Sequence, residues 1–260
     1  MVPAAARAPS PLADSRFSTP YNHETPLQTE LNGKSAGMYL TGCPIEILGG
    51  GRTYDGAGLV DTLNDARKSI SISVMDFGPI SLYSRSNVGI PEPLTEFSPA
   101  DSPVWWPAIF SALVSAALTR QVYVRLLVSK WAHTSGLIEP FLRALLMAAD
   151  AGRAGRIMTA GQLEIKEFII PGWNDTAGSF RKYPGHSRVN HTKYIVTDRR
   201  INIGTSNMTW DYFSSAAAAV RRPGPKPCKT TGLKTVQFSS WIFFKHFNRS
   251  LLPSSWIFFA

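Results

Sequence analysis

The order of apolar and polar residues along the chain predicts alternating helices and strands. One stretch, Ser69–Phe77, alternates serine with isoleucine, the period-two pattern typical of a strand. Further strands are indicated by short runs rich in β-branched residues, and helices by apolar residues spaced three and four apart. The predicted strands are Ser69–Phe77, Val122–Ser129, Leu163–Ile170, Lys193–Asp198 and Ile201–Gly204, and the predicted helices are Leu59–Lys68, Pro107–Arg120 and Glu139–Asp150. The alternation predicts an α/β domain with helices packed on a mixed or largely parallel sheet.

Composition divides the chain into three parts. Residues 1–19 form a Pro- and Ala-rich lead-in that lacks the apolar region of a signal peptide. The α/β pattern occupies residues 20–215. We expect residues 216–260 to be an irregular basic and aromatic tail outside the ancestral fold, in which the sequence SSWIFF occurs twice. Two interpretations of this tail stay open: an interfacial segment for a membrane or a partner, or a sequence that has left the ancestral reading frame near Ser215.

Charge and cysteine content narrow the class of protein. The formal net charge is +9, and no acidic residue occurs from residue 221 to residue 260. A basic chain favours polyanionic partners such as nucleic acid or acidic lipid head groups, although many basic chains bind neither. The two cysteines, Cys43 and Cys228, are too few for a metal cluster or a disulfide framework. No apolar run is long enough to predict a transmembrane helix.

The segment VNHTKYIVTDRRINIGTSN carries the chemistry. On a strand, His191 and Lys193 would share one face. An imidazole can attack phosphorus or protonate a leaving oxygen, and a neighbouring ammonium neutralises phosphate oxygens. The turn that contains Gly204, Ser206 and Asn207 offers hydroxyl, amide and backbone N–H donors, so the segment predicts a phosphate site.

Three other residues have both a functional and a structural interpretation. Trp105 and Trp106 precede a predicted helix, where they either stack on bases of a single strand or, more commonly, pack the helix on the sheet. Asp76 closes a predicted strand, at the kind of position where α/β proteins gather ligands. A solvated carboxylate at the strand end is the simpler expectation for it.

The spacing His191-x-Lys193-x4-Asp198-x5-Gly204-Thr205-Ser206-Asn207 resembles the HKD signature of the phospholipase D superfamily. The stretches YNHETPLQTELNG, GGRTYDGAGLVDTLNDARKSISISVMDF and WPAIFSALVSAALTRQVYVRLLVSKWAH are similar to the C-terminal half of the animal phospholipase D types three and four branch. The resemblance runs from about Thr19 to Ser215.

The resemblance implies a phospholipase D-like layered α-β-α half-domain with a mixed sheet, from which a C-terminal strand and helix are lost. It implies hydrolysis of phosphodiester bonds without a metal or other cofactor, through a phosphohistidine, with single-stranded DNA or RNA or a phospholipid as substrate. His191, Lys193 and Asp198 would be the catalytic motif, with Asp198 bracing its loop, and Gly204, Ser206 and Asn207 would bind phosphate. Either histidine role, nucleophile or general acid, remains open for His191.

The chain departs from the family pattern because it holds one HKD motif where the chemistry needs two. We expect either an inactive fragment that at most binds anionic phosphodiesters, or two chains that pair and supply one motif each. The family resemblance also implies the lumen of the endoplasmic reticulum or the endolysosome. Asn174 is then the candidate glycosylation site, whereas Asn190 and Asn207 flank the predicted pocket and are expected to stay unmodified.

Overall fold

The computed structural model describes residues 18–43, 48–82, 104–132, 134–155, 162–172, 188–213 and 242–245. Its elements follow the predicted alternation, with boundaries displaced by a few residues. In chain order they are β1 (Leu27–Leu31), β2 (Lys34–Gly42), β3 (Thr53–Tyr54), α1 (Asp55–Asp65), β4 (Ser69–Val74), α2 (Ala108–Thr119), β5 (Tyr123–Lys130), α3 (Ile138–Ala154), β6 (Leu163–Ile169), β7 (Tyr194–Thr197), β8 (Arg200–Ile203), a 3-10 turn (Trp210–Tyr212) and β9 (Ile242–Lys245).

The strands form a mixed sheet in the order β1-β2-β9-β8-β7-β4-β5-β6, with β3 beside β2. Strands β4, β5 and β6 are parallel, and Ile72 lies beside Leu126 in this register. Strand β7 joins the other side of β4 in the antiparallel sense, and β8 continues antiparallel to β7. The predicted mixed α/β architecture is therefore confirmed, and the amino end of β7 lies beside the carboxyl end of β4.

The alternating Ser-Ile pattern of β4 places its two kinds of residue on opposite faces of the sheet. The Ile70, Ile72 and Val74 side chains are fully buried in the main hydrophobic core. The core also takes apolar residues from all three helices, among them Leu59, Leu63, Leu113, Ala116, Leu142 and Leu145. Helix α1 packs on α2 and α2 on α3, so the described helices form one layer. A second helical layer, which the α-β-α prediction includes, would lie outside the described residues.

The β1–β2 hairpin is an element that the sequence interpretation missed. Its turn is Asn32-Gly33, and both residues adopt positive φ, 49° and 75°. An Asn-Gly pair that links two strands is the sequence signal of a two-residue hairpin, because both central residues of such a turn need positive φ. The signal was present between Leu31 and Lys34. Strand β3 and the first turn of α1 occupy residues 53–58, before the predicted start of the first helix at Leu59.

The tail contributes one strand to the sheet, contrary to the expectation that residues 216–260 are wholly irregular. Strand β9 pairs with both β2 and β8 in the antiparallel sense and connects the two. Its sequence, IFFK, consists of the last three residues of the first SSWIFF repeat and Lys245, and aromatic and β-branched residues favour a strand. A strand therefore adjoins β8 where the C-terminal strand was predicted to be lost. Residues 214–241 and 246–260 lie outside the described residues, and the domain boundaries remain predictions.

Candidate active site

The candidate chemistry gathers at one edge of the sheet. The parallel strands β4 and β5 end there, followed by Asp76 and Trp131. Because β7 is antiparallel to β4, the residues that precede β7, including Lys193, lie at the same edge. Strand β8 also ends there and leads into the turn 204–207. Side chains from four strand ends thus meet where open α/β sheets commonly hold their ligands.

His191 and Lys193 lie just before β7 rather than within it. The hydroxyl of Thr192, between them, is 2.6 Å from the Ser73 hydroxyl of β4. This contact directs Thr192 toward one side of the extended chain and leaves its two neighbours on the other, as the period-two pattern predicted. His191 is exposed, whereas Lys193 is only 5% exposed. The imidazole is therefore accessible to a substrate, and the ammonium lies deeper.

The electrostatics of the pair suit an anionic ligand. Burial, and secondly the Lys193 charge, lower the pKa of His191, so its neutral form prevails at neutral pH. Burial lowers the pKa of Lys193 to about 8, while the Asp76 carboxylate raises it in part. The Lys193 ammonium donates one hydrogen bond, to the His191 carbonyl at 3.1 Å. An ammonium has three N–H donors. Among the contacts of the described residues, two of the three are therefore free to bind a ligand.

The side chains of the turn 204–207 are engaged differently from the prediction. The Asn207 amide donates to the Asp76 carboxylate (2.9 Å) and to the Tyr212 hydroxyl (3.0 Å), which uses both of its hydrogens. The Ser206 hydroxyl is fully buried, 3.8 Å from the Cys43 sulfur. The Gly204 N–H donates to the Lys193 carbonyl. The Asn207 amide, the Ser206 hydroxyl and the Gly204 N–H, which were predicted to bind phosphate, are therefore engaged within the protein and stabilise the turn.

The same turn presents donors of another kind. In the described residues, the backbone N–H groups of Thr205, Ser206 and Asn207 donate to no acceptor. Consecutive backbone N–H groups in a turn form an anion-binding concavity. The predicted backbone contribution to phosphate binding thus has a structural basis, although the predicted side-chain contribution does not.

Asp198, the third member of the predicted catalytic motif, is not brought to this edge. Five residues of extended chain, about 17 Å, separate it from Lys193. One of its carboxylate oxygens accepts hydrogen bonds from the backbone N–H groups of Arg67, Lys68 and Ser69, at 2.9–3.1 Å. Asp198 therefore braces the turn between α1 and β4, at the opposite end of β7.

Two residues of the cluster were not predicted as part of it. Asp76 is fully buried, contrary to the expectation of a solvated strand end. Its carboxylate accepts hydrogen bonds from the Asn207 amide and, at 3.3 Å, from the indole N–H of Trp131. The available signal for Asp76 was its position directly after a buried strand. Trp131 carried no distinguishing signal, because its contact depends on the pairing of β4 with β5.

Trp105 and Trp106 have separate environments. Trp106 packs against Trp210 and Phe213, with ring centroids 5.6 and 4.7 Å apart, which is the structural interpretation. Trp105 is 58% exposed, with its ring 6.1 Å from that of Phe141. It pairs with Ile80, four residues after Asp76. The exposed Trp105 ring therefore lies beside the segment that follows β4.

Some predicted features fall elsewhere. Asn174 and the part of the tail near Ser215, where one of the two interpretations has the sequence leave the ancestral reading frame, lie outside the described residues. Among the described residues, no group of three His, Cys, Asp or Glu side chains is placed to hold a metal ion. No helix in the described ranges has the length and apolar character needed to cross a membrane.

Comparison with known proteins identifies the family. A family model described as PLD3/4, PLD-like domain, matches residues 5–172, which is more than half of the chain. The chain belongs to the phospholipase D-like family. The match begins within the predicted lead-in and ends before the HKD motif, so the phospholipase D-like assignment does not depend on His191 or Lys193.

Phospholipase D-like relatives match over most of this chain. The chain is 35% identical over 214 residues to the 5′-3′ exonuclease PLD3 of Xenopus laevis, which covers 82% of the chain. It is 36% identical over 201 residues to the protein of that name in Homo sapiens, and 32% identical over 225 residues to a probable phospholipase D of Caenorhabditis elegans. The aligned part covers only 38%, 36% and 36% of these relatives. The chain thus spans less than two-fifths of their length.

Two solved structures resemble the chain distantly. Nuc of Salmonella typhimurium, a phospholipase D family member, aligns with a TM-score of 0.39 and 13% identity over 83% of this chain and 87% of its own. NucT of Helicobacter pylori aligns with a TM-score of 0.41 and 12% identity, over 81% and 86%. We draw nothing further from so distant a likeness.

Proposed function

We propose that this chain provides one half-site of a phosphodiesterase, with His191 and Lys193 as its catalytic residues. The observation that carries the proposal is the pairing of an exposed imidazole with a buried ammonium that has two free N–H donors. The backbone N–H groups of residues 205–207 and membership of the phospholipase D-like family support it. Asp198 acts in this proposal as a brace for the fold.

The proposed reaction needs two histidines. One imidazole nitrogen attacks phosphorus, the bond from phosphorus to the leaving oxygen breaks, and the second histidine gives that oxygen its proton. Water, deprotonated by the second histidine, then attacks the phosphohistidine and releases the phosphate product. Lys193 stabilises the charge that builds on the phosphoryl oxygens. The sequence has one such motif, so we propose that a second copy of the chain supplies the other histidine.

The preferred substrate is a single-stranded nucleic acid. The aligned PLD3 relatives are named 5′-3′ exonucleases. On this chain, the net charge of +9 and the exposed ring of Trp105 suit a polyanion with stacking bases. A phospholipid is the alternative substrate, and the family name includes that activity. By the same resemblance we propose a location in the endoplasmic reticulum or endolysosome lumen, which a glycan on Asn174 in cells would support.

The first experiment compares the purified chain with His191→Ala and with a matched control, His23→Ala. His23 is a partly buried histidine whose ring contacts Thr53 and Glu24 and none of the residues proposed for the site. Each protein is incubated with 5′-labelled single-stranded DNA in chelator, from pH 5 to pH 8, over a range of protein concentrations. We expect cleavage that only His191→Ala abolishes and that rises faster than linearly with concentration. In the paired site one His191 attacks phosphorus and the His191 of the second copy is the general acid, so we expect activity to fall at high pH, where no imidazole is protonated.

A binding function without catalysis is the second candidate, favoured by the single motif. In that case the chain binds labelled DNA with a strong dependence on salt, and no preparation cleaves it. Vesicles that contain acidic phospholipid, tested in parallel, separate a lipid ligand from a nucleic acid. Absence of both cleavage and anion binding would contradict the half-site proposal.

A further inference from the structure

The buried carboxylate of Asp76 is the centre of the hydrogen-bond network beneath the site. Asp76 and Asn207 are doubly connected: the Asn207 amide donates to Asp76 Oδ2 at 2.9 Å, and the Asp76 backbone N–H donates to Asn207 Oδ1 at 3.3 Å. The Met208 N–H donates to the Asp76 carbonyl at 3.0 Å. Trp131 Nε1 donates to Asp76 Oδ1 at 3.3 Å. These bonds attach the turn 204–207 to the ends of β4 and β5.

A buried carboxylate without compensation is costly, and Asp76 has compensation of two kinds. The hydrogen bonds from Asn207 and Trp131 stabilise its charged form. The Lys193 ammonium supplies an opposite charge close enough for the carboxylate to raise the lysine pKa, against the larger effect of burial. Lys193 is itself 5% exposed, so the two charges interact with little screening by water.

We propose that Asp76 is a positioning residue for the phosphate site. Its negative charge favours the protonated form of Lys193, which can bind a phosphate. Its bonds to Asn207 hold the turn 204–207, whose Gly204 N–H also donates to the Lys193 carbonyl, so the free backbone N–H groups of residues 205–207 belong to a turn attached to the Lys193 segment. Asp76 does not contact the substrate. This role rests on the proposed function, because it requires that Lys193 and the turn bind phosphate.

Few titratable groups surround Lys193 in the described part of the chain. Asp76 faces it from β4, His191 precedes it on its own segment, and Tyr212 is connected through Asn207. Burial, followed by the Asp76 charge, raises the pKa of Tyr212 to about 12, so this phenol stays neutral. A change of charge at Asp76 should therefore register mainly at Lys193.

The test follows the Lys193 ammonium directly. Lysine side chains of the purified chain are dimethylated with a ¹³C label, the Lys193 signal is assigned from Lys193→Arg, and its titration is recorded by NMR. We expect Asp76→Asn to lower the pKa of Lys193 by about one to three units. Asp76→Glu, which keeps the charge, should return it to near the wild-type value. The matched control is Asp65→Asn, which removes a carboxylate that pairs with Arg200, at the opposite end of β8 from the turn 204–207, and should leave Lys193 unchanged.

Inorganic phosphate serves as the binding probe, in unmodified samples of the same variants, because dimethylation would remove two of the three N–H donors of Lys193. At pH 8 we expect Asp76→Asn to weaken phosphate binding about fivefold or more, because a drop of one pKa unit from about 8 reduces the protonated fraction of Lys193 from about one half to about one eleventh. The loss should be smaller at pH 6.5. Asn207→Ser, which cuts the link to the turn but keeps the charge, should weaken phosphate binding severalfold without moving the Lys193 titration. This second variant tests the positioning role if Asp76→Asn fails to fold.

Two results would overturn the inference: a Lys193 titration in Asp76→Asn that matches the wild type, or undiminished phosphate affinity in Asn207→Ser. Failure of the proposed function has a different signature. In that case the wild-type chain binds no phosphate and cleaves no DNA at any pH. The difference in Lys193 pKa between wild type and Asp76→Asn still measures the interaction of Asp76 with Lys193.

Discussion

The role of Asp198 separates a catalytic motif from a structural brace, and replacing it with alanine tests which it is. One oxygen of Asp198 accepts three backbone hydrogen bonds, from Arg67 at 3.0 Å, Lys68 at 2.9 Å and Ser69 at 3.1 Å. These donors form the turn that positions the start of β4. Asp198→Ala leaves all three N–H groups without this acceptor.

The size of the effect follows from the number of bonds and their exposure. A hydrogen bond to a charged group contributes about 1.5–3 kcal/mol, but the Asp198 carboxylate is partly exposed, and water replaces some of the loss. We expect Asp198→Ala to lower the free energy of unfolding by about 2–4 kcal/mol. Asp198→Asn retains an acceptor oxygen and should lose about half of that.

The lowered pKa of Asp198 predicts how its contribution to stability depends on pH. Burial alone would raise the pKa of Asp198, but the hydrogen bonds from the backbone N–H groups of Lys68, Ser69 and Arg67 outweigh it, and the net shift is downward. A carboxyl with a lowered folded-state pKa contributes stability above its unfolded pKa, about 3.9. This contribution is lost as the pH falls through the folded-state value. The difference between wild type and Asp198→Asn should thus be full at pH 7 and shrink below about pH 4.

Urea unfolding followed by tryptophan fluorescence measures the change, with Glu30→Gln, an exposed acid on β1, as the control within about 0.5 kcal/mol of wild type. Below the unfolding transition, Asp198→Asn should retain phosphate binding. A variant with wild-type stability and no activity would refute the assignment of Asp198 as a brace and restore it to the catalytic group.

Three further predictions concern other parts of the fold. Burial raises the pKa of Asp55 to about 7, despite the lowering effect of the nearby Thr41 and Cys43 side chains. Stability should therefore fall by up to about 4 kcal/mol as the pH rises from 4 to 7, and Asp55→Asn should abolish this slope in urea titrations. Trp105→Ala should weaken binding of single-stranded DNA about five- to a hundredfold by fluorescence anisotropy, if one base stacks there, whereas Met147→Ala, another exposed apolar truncation, should have no effect. Gly33→Val should cost about 1–2 kcal/mol of unfolding free energy: its φ is +75° and an added Cβ meets nothing within 4 Å, so a neutral substitution would disprove a purely conformational cost.

Much of the fold could be predicted from local patterns. The alternation of serine and isoleucine predicted the strand that became β4, which the structure confirms, and Ile70 and Ile72 lie in its core. The Asn32-Gly33 turn is an equally local signal, because an Asn-Gly pair between two strands predicts a two-residue hairpin. In both cases the information lies within a few neighbouring residues, since side-chain period and turn chemistry depend on the local backbone.

Tertiary contacts decided the roles of the candidate residues. Asn207 and Ser206 looked like ligands because their side chains are donors, yet long-range neighbours consume those donors, the Asp76 carboxylate for one and the Cys43 environment for the other. Likewise, a solvated carboxylate was predicted for Asp76, but the pairing of β5 with β4 brings Trp131 into hydrogen-bond contact with it. Packing decides which acceptor binds a given buried donor, because the donor bonds to the acceptor nearest in space, whatever their separation in the sequence.

The sequence by itself determined the chemical character of this protein. It contains a histidine and a lysine two residues apart, a turn rich in donors, and flanking stretches that resemble the phospholipase D family. Only the tertiary structure decided that His191 is exposed while Lys193 is buried beside Asp76, and that Asp198 lies at the far end of β7. The physical reason is that residue type fixes which reactions a group can perform. Strand pairing and burial, which join segments more than a hundred residues apart, fix its pKa, its partners and its access to a ligand.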